Sequence, residues 1–186
     1  MSWPAVVREW GSTAEERARA YPCDRLVPDP SDSVFRAVDV AAPAETTFRW
    51  LCQLRAAPYS YDKLDNWGRR SPQELTPGLE RLEAGQVVMS IFRLVEFEPG
   101  RSLTVLSRGR LFGGVACTYC ADPVDERSSR IVVKAVFGSP RGLHGPLMRV
   151  ILPPGDLVMM RRQLLNLAEL AGRDAPTRSS RSDRRS

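Results

Sequence analysis

Lysine is almost missing from this chain of 186 residues. It occurs only as Lys63 and Lys134, so arginine carries nearly all of the 27 basic charges. With plentiful Ala, Gly and Pro, that bias points to GC-rich coding and a bacterial source. Histidine occurs once, as His144 in the turn-rich GSPRGLHGP, with no serine elbow beside it. That excludes the Ser-His-Asp logic of a hydrolase. No apolar run approaches the roughly 20 residues a membrane-spanning helix needs, so no membrane insertion is expected. The opening MSWPAVVREWGSTAEERARA places acids and arginines where a secretory signal has an apolar core, which predicts a cytoplasmic protein. Phosphate cradles are missing too, since GRLFGGV has neither dinucleotide spacing nor a Lys-Ser/Thr step. Nothing demands a metal, nucleotide or flavin, so the expected cofactor set is none.

Cysteine is scarce, at positions 23, 52, 117 and 120. Cys117 and Cys120 have C-x-x-C spacing, yet VACTYCA reads as a strand, in which side chains three apart project from opposite faces. Thiols so placed cannot converge on one ion. They read as small buried hydrophobes. The net charge of +5 suggests nucleic acid until its location is considered. Five arginines (173, 178, 181, 184, 185) against Asp174 and Asp183 put +3 of it between Arg173 and Ser186, a Ser-rich segment without large apolar residues. Such a tail is expected to be disordered. With no aromatic-basic surface motif elsewhere, a nucleic-acid partner is not expected.

At 20.8 kDa and 42% hydrophobic residues the chain is long enough for one core without disulfide or metal staples. Residues 1–32 read as an irregular leader. A short helix is predicted from Thr13 to Ala20, and Ser12 with Glu15 resembles a capping box. The domain proper spans 33–172, and 173–186 is the tail. Val34, Val38 and Val40 alternate with Phe35, Ala37 and Asp39 as a strand does. Pro43 suits the first turn of a helix whose face carries Phe48, Leu51 and Cys52. A long loop, AAPYSYDKLDNWGRRSPQELTPG, follows, with a short helix near Tyr61 to Asn66. Four strands are predicted as an antiparallel meander: Gln86 to Glu98, Ser102 to Ser107, Val115 to Asp122 and Arg130 to Phe137. Gly145 to Leu152 reads as a helical lead-in, broken at Pro153-Pro154-Gly155. Asp156 then caps a last helix to about Ala171, with Leu157, Met160, Leu164, Leu167 and Ala171 in one stripe. This order predicts an α+β fold in which a curved antiparallel sheet wraps around the long C-terminal helix.

That architecture, with VDVAAPAETTFRWLCQL and GDLVMMRRQLLNLAELA, resembles the SRPBCC superfamily, the START and Bet v 1-like helix-grip proteins often labelled polyketide cyclase/dehydrase. The resemblance covers roughly Val34 to Ala171, and WGSTAEE with PYSYDKLDNWGRRSP resembles a bacterial subgroup of it. It implies a helix-grip fold with an internal cavity, while substrate and reaction vary widely across the superfamily.

The loop PYSYDKLDNWGRR is the candidate site. Tyr59, Tyr61, Asp62, Asp65, Asn66 and Trp67 combine aromatic walls with hydrogen-bonding tips, as expected of an apolar pocket that fixes a ligand by a few polar groups. Asp and Asn serve equally as helix caps, and Tyr and Trp equally as a cover for the sheet end. Opposite them, Leu157, Met160 and Leu164 face the sheet, where Met160 suits an irregular apolar ligand. Glu96 and Glu98 share one face of a strand and read as a solvent-facing edge. The expected function is binding of a hydrophobic small molecule, a lipid, isoprenoid or polyketide-like aromatic, as carrier, sensor or sequestering protein. The alternatives are an aromatase/cyclase-type enzyme, with Tyr61, Asp62 or Arg69 aiding proton transfer, and a partner-binding module using the tail. A charged acid-base pair inside the cavity favours the enzyme, and an all-apolar lining favours the carrier. Oligomeric state is not legible.

Overall fold

The computed structural model describes residues 4–61, 68–107, 114–138 and 145–175, with 145–153 described as backbone alone. Its centre is a seven-stranded sheet. The strands are β1 (Glu9–Trp10), β2 (Pro30–Val40), β3 (Val87–Val88), β4 (Phe92–Glu98), β5 (Ser102–Ser107), β6 (Val115–Pro123) and β7 (Ser129–Gly138), in the order β1-β2-β7-β6-β5-β4-β3. All pairings are antiparallel except β1 with β2. Helices α1 (Ala5–Arg8), α2 (Ala14–Ala18), α3 (Ala44–Cys52) and α4 (Gly145–Arg173) complete it.

The predicted strand from Gln86 to Glu98 is two strands. Met89 and Ser90 adopt positive φ (47° and 65°), which ends one strand and turns the chain into the next. The leader is also more ordered than its composition suggests. Thr13, one residue later than expected, caps α2: its hydroxyl accepts from Glu16 N at 3.2 Å while Glu16 accepts from Thr13 N at 2.7 Å. The run S-T-A-E-E offers two such pairs, and Ser12 is already committed to the Glu9 carbonyl and Arg17.

Strand parity sorts the two faces. Val34 and Val40 point into the main core with Trp50, Leu51, Leu54, Leu94, Val105, Cys117, Ile131, Leu164 and Leu167. Phe35 and Ala37 point the other way, into a second cluster that Tyr21, Cys23 and Val27 of the leader cover. The leader is thus a strap over the convex face. Gly11 permits it to lie close, since a Cβ there would collide with the Ala37 carbonyl oxygen, and its φ is +74°. Arg130 ties the strap down, binding Glu16 at 2.6 Å and the Gly11 carbonyl at 2.9 Å.

Cys117 lies in the main core and Cys120 in the convex cluster, on opposite faces of β6. Burial pushes the Cys52 and Cys120 thiols up to about 12 and Cys117 well above its usual range, so all three stay protonated at neutral pH. Among the described residues no three His, Cys, Asp or Glu side chains group as metal ligands, and no helix is long and apolar enough to cross a membrane.

One expectation at the C-terminal end fails. The last helix runs through Pro153-Pro154 without a break, because the proline φ near −65° suits a helix even as each nitrogen forfeits a hydrogen bond. Just beyond the helix stripe, Arg173 donates to the Gln73 carbonyl at 2.8 Å, and Asp174 accepts from the buried Trp50 indole at 3.0 Å.

Candidate functional site

The inward side of α4 follows an alternating spacing of four and three residues: Asp156, Met160, Gln163, Leu167, Leu170. Two polar residues therefore share the face that covers the sheet. Burial along it is graded. Leu167 and Leu164 are 0% exposed and Met160 7%, while Leu157 is half-buried and the Asp156 side chain is 16% exposed. The stripe is fully covered in the C-terminal half of the helix and partly exposed toward Asp156.

Both polar positions meet a polar group from the sheet. Tyr119, wholly buried on β6, donates to Gln163 Oε1 at 3.0 Å, and Gln163 Nε2 donates to the Pro58 carbonyl at 2.6 Å. Sheet, helix and the loop after α3 are joined by this one amide. Burial raises the Tyr119 phenol well above its usual range, so it remains a neutral donor. At the looser end, Arg36 occupies an inward position of β2 with no exposure at all. Its Nη2 donates to Asp156 Oδ2 at 2.8 Å and its Nη1 to the Phe35 carbonyl at 2.8 Å.

Burial governs the charges here. Desolvation pushes Asp156 up to about 6, although the Arg36 guanidinium pulls the other way. It also lowers Arg36 from its usual range against the attraction of Asp156. The charge of Asp156 adds to the upward shifts of Cys117 and Tyr119, which places all four groups in one electrostatic neighbourhood. Such a set offers a fixed cation, a neutral phenol donor and a carboxyl that changes protonation near neutral pH.

Asp156 is therefore not a helix cap, because α4 begins eleven residues earlier and leaves it in the interior of the helix. Arg36 and Gln163 did not emerge from the sequence reading, although signals existed. Arg36 falls between Val34 and Val38 in the inward parity of an alternating strand, and Gln163 fills the inward spacing between Met160 and Leu167.

Of the residues anticipated from the sequence, Met160 and Leu164 are buried in the main core, and Leu157, at the spacing of the same stripe, is half-buried. Tyr59 is buried in the core, edge-to-face with Trp50 at 6.1 Å, and its carbonyl accepts from Asn166 at 2.8 Å. It holds a positive φ of 57°, an uncommon conformation for a bulky residue. Tyr61 is 40% exposed and Arg69 is at the surface. Asp62, Asp65, Asn66 and Trp67 lie outside the described residues, as do the short helix expected there and His144. A pocket of about 260 Å³ adjoins Tyr59, but it is polar and on the outer flank of α4, lined among others by Ser60, Ser71, Gln73, Arg162 and Glu169. Glu96 and Glu98 pair with Arg25 and Arg101 at the surface, away from this neighbourhood.

The chain matches no family model and no curated protein. Solved structures do match. A Thermobifida fusca protein is 19% identical with a TM-score of 0.51, covering 78% of this chain and 97% of its own. The Zhui aromatase/cyclase of a Streptomyces species is 18% identical with a TM-score of 0.53, covering 76% and 94%. A Helicobacter pylori protein is 12% identical with a TM-score of 0.51, covering 83% and 96%. What these share with the chain is the fold, the α+β arrangement of a curved sheet around a long C-terminal helix.

Proposed function

We propose, from the Bet v 1-like helix-grip fold of the SRPBCC superfamily that this chain carries, that it binds a hydrophobic small molecule between the sheet and the N-terminal half of α4. A lipid, isoprenoid or polyketide-like aromatic fits that description, and the role is carrier, sensor or sequestering protein. The observation that carries the reading is the graded burial of the α4 stripe, from fully covered Leu164 and Leu167 to half-buried Leu157 and partly exposed Asp156. Native mass spectrometry of freshly purified protein, followed by organic extraction, is the test. An abundant co-purifying apolar molecule supports the reading. A protein that is empty and takes up no apolar probe contradicts it.

A second reading, an aromatase/cyclase-type enzyme, draws support from the Arg36–Asp156 pair and from the Zhui aromatase/cyclase among the structural neighbours. Asp156, shifted up to about 6, has the protonation balance of a general acid-base group near neutral pH. Release of altered product after incubation with a poly-β-ketone would favour it over simple binding.

A further inference from the structure

We propose that the bound molecule is a carboxylic acid, whose carboxylate takes the place of Asp156 on the buried guanidinium of Arg36. This rests on the small-molecule reading above and narrows its ligand class.

The argument begins with position. Arg36 is wholly buried, and its Nη1 contact to the Phe35 carbonyl fixes the guanidinium against its own strand. It is a built-in cation, anchored on the rigid element and aimed at the looser end of the α4 stripe. An anion reaches it from the opposite wall, on α4, through an Nη2 contact to Asp156 at 2.8 Å. Asp156 is the partly exposed member of the pair, with 16% of its side chain accessible against none for Arg36. An incoming ligand therefore reaches the carboxylate side first. The surrounding walls suit an apolar body: Met160 on α4, and Trp10, which lies level with Arg36 in the β1–β2 register and packs against the main core.

Exchange keeps the charge balanced. The ligand carboxylate arrives as an anion, Asp156 takes up one proton from solvent, and Arg36 stays paired throughout. A planar guanidinium matches a carboxylate in two-pronged geometry better than it matches a hydroxyl or carbonyl. The proton is easily acquired, since burial already holds Asp156 near 6. Among the described residues, the groups near Asp156 do not compete for it. From β2 comes Arg36, which repels a proton, and from β6 come Cys117 and Tyr119, both neutral and raised. From the leader, Arg8 is committed to Asp32 and Glu9 to Arg17.

The test uses full-length protein and two pairs of probes, decanoate with 1-decanol and 2-naphthylacetate with 2-(2-naphthyl)ethanol, titrated by calorimetry between pH 6 and 8. An uncharged apolar dye serves as a control. Each acid should bind at least tenfold tighter than its alcohol at pH 6, with proton uptake rising from about half a proton there to about one at pH 8. Its affinity should fall about tenfold per pH unit above pH 6, while alcohol binding stays flat. Asp156→Asn should bind the acids without the pH dependence, and Arg36→Met should lose the preference for acid over alcohol. Because Arg36→Met can lose stability, Asp156→Asn alone suffices to decide. Equal binding of acid and alcohol, binding of the dye alone, or acid binding with unchanged pH dependence in Asp156→Asn would overturn the carboxylate assignment and leave the small-molecule reading standing. Failure of every probe, dye included, would overturn both.

Discussion

Arg36 on the second strand and Asp156 on the last helix meet at 2.8 Å inside a neighbourhood otherwise built from aliphatic, thiol and phenol groups. The surface ion pairs of this protein, such as Arg25 with Glu96, are screened by water and contribute little. The buried pair is different in sign. Burial raises Asp156 and lowers Arg36, each in the direction that disfavours its charge, so the mutual attraction does not fully offset the loss of hydration. Apolar side chains of similar size would hold the sheet and helix together at least as well. A pair that the fold does not need for stability is a candidate for chemistry.

The pH dependence of stability follows from that shift. Asp156 is raised from 3.8 to about 6, so the folded protein holds this proton more tightly than the unfolded chain does. The stability it contributes is complete below about pH 3.8 and is lost as the pH rises through 6. Asp156→Asn has no proton to lose. Relative to wild type, the variant should gain up to about 3 kcal/mol between pH 3.5 and pH 8, read by urea unfolding at each pH. A difference that stays flat, or moves the other way, would mean that the carboxyl is not raised.

Replacing the cation separates pairing from packing. Arg36→Met leaves Asp156 buried without a counter-ion, and the expected cost at pH 7 is roughly 3–5 kcal/mol. Most of that cost should vanish at pH 4, where the carboxyl is protonated. Adding Asp156→Leu should restore the stability at pH 7 to that of wild type or about 1–4 kcal/mol above it. Denaturant titration of both variants checks this, and a double variant no more stable than Arg36→Met would refute the account.

The sequence is a good guide to this fold wherever periodicity carries the signal. The alternation of Val34, Val38 and Val40, the α3 face of Phe48, Leu51 and Cys52, and the stripe through Met160, Leu164 and Leu167 all depend on local repeat, and all but half-buried Val38 are buried as their spacing implies. The site is harder to read because it is made of exceptions to that repeat. Arg36, Asp156 and Gln163 each put a polar group where the period calls for an apolar one, and only their distant partners make those positions tolerable. The strap fails to appear for a related reason. Tyr21, Cys23 and Val27 have no period at all, and their burial comes from a sheet face made by residues from Phe35 on to Val136.

Asp174 accepts a hydrogen bond from a buried indole. Trp50 is wholly buried, and its Nε1 donates to Asp174 at 3.0 Å. Asp174→Ala leaves that donor without its acceptor, which should cost about 1–3 kcal/mol. Asp174→Asn keeps an acceptor oxygen and should recover most of the loss. Thermal melts of the two variants decide the matter, and equal melting temperatures for wild type and Asp174→Ala would show that the contact is incidental.

Met160 tests the loosened interval directly, because it stands between fully buried Leu164 and partly exposed Asp156 on the inward face of α4. If that interval holds a ligand, a larger side chain at 160 fills space that the ligand would use. Met160→Trp should then weaken binding of an apolar fluorescent probe tenfold or more while the melting temperature moves by only a few degrees. If the interval is instead close-packed, the indole has nowhere to go and overpacking strains the core by roughly 1–3 kcal/mol. The two cases reverse the order of effects, so both quantities must be measured on the same preparations. A variant that melts much lower, beside a wild type that binds no probe, would establish a solid core under α4. A variant that folds normally and loses the probe would place the ligand against Met160, one turn of helix from the Arg36–Asp156 pair.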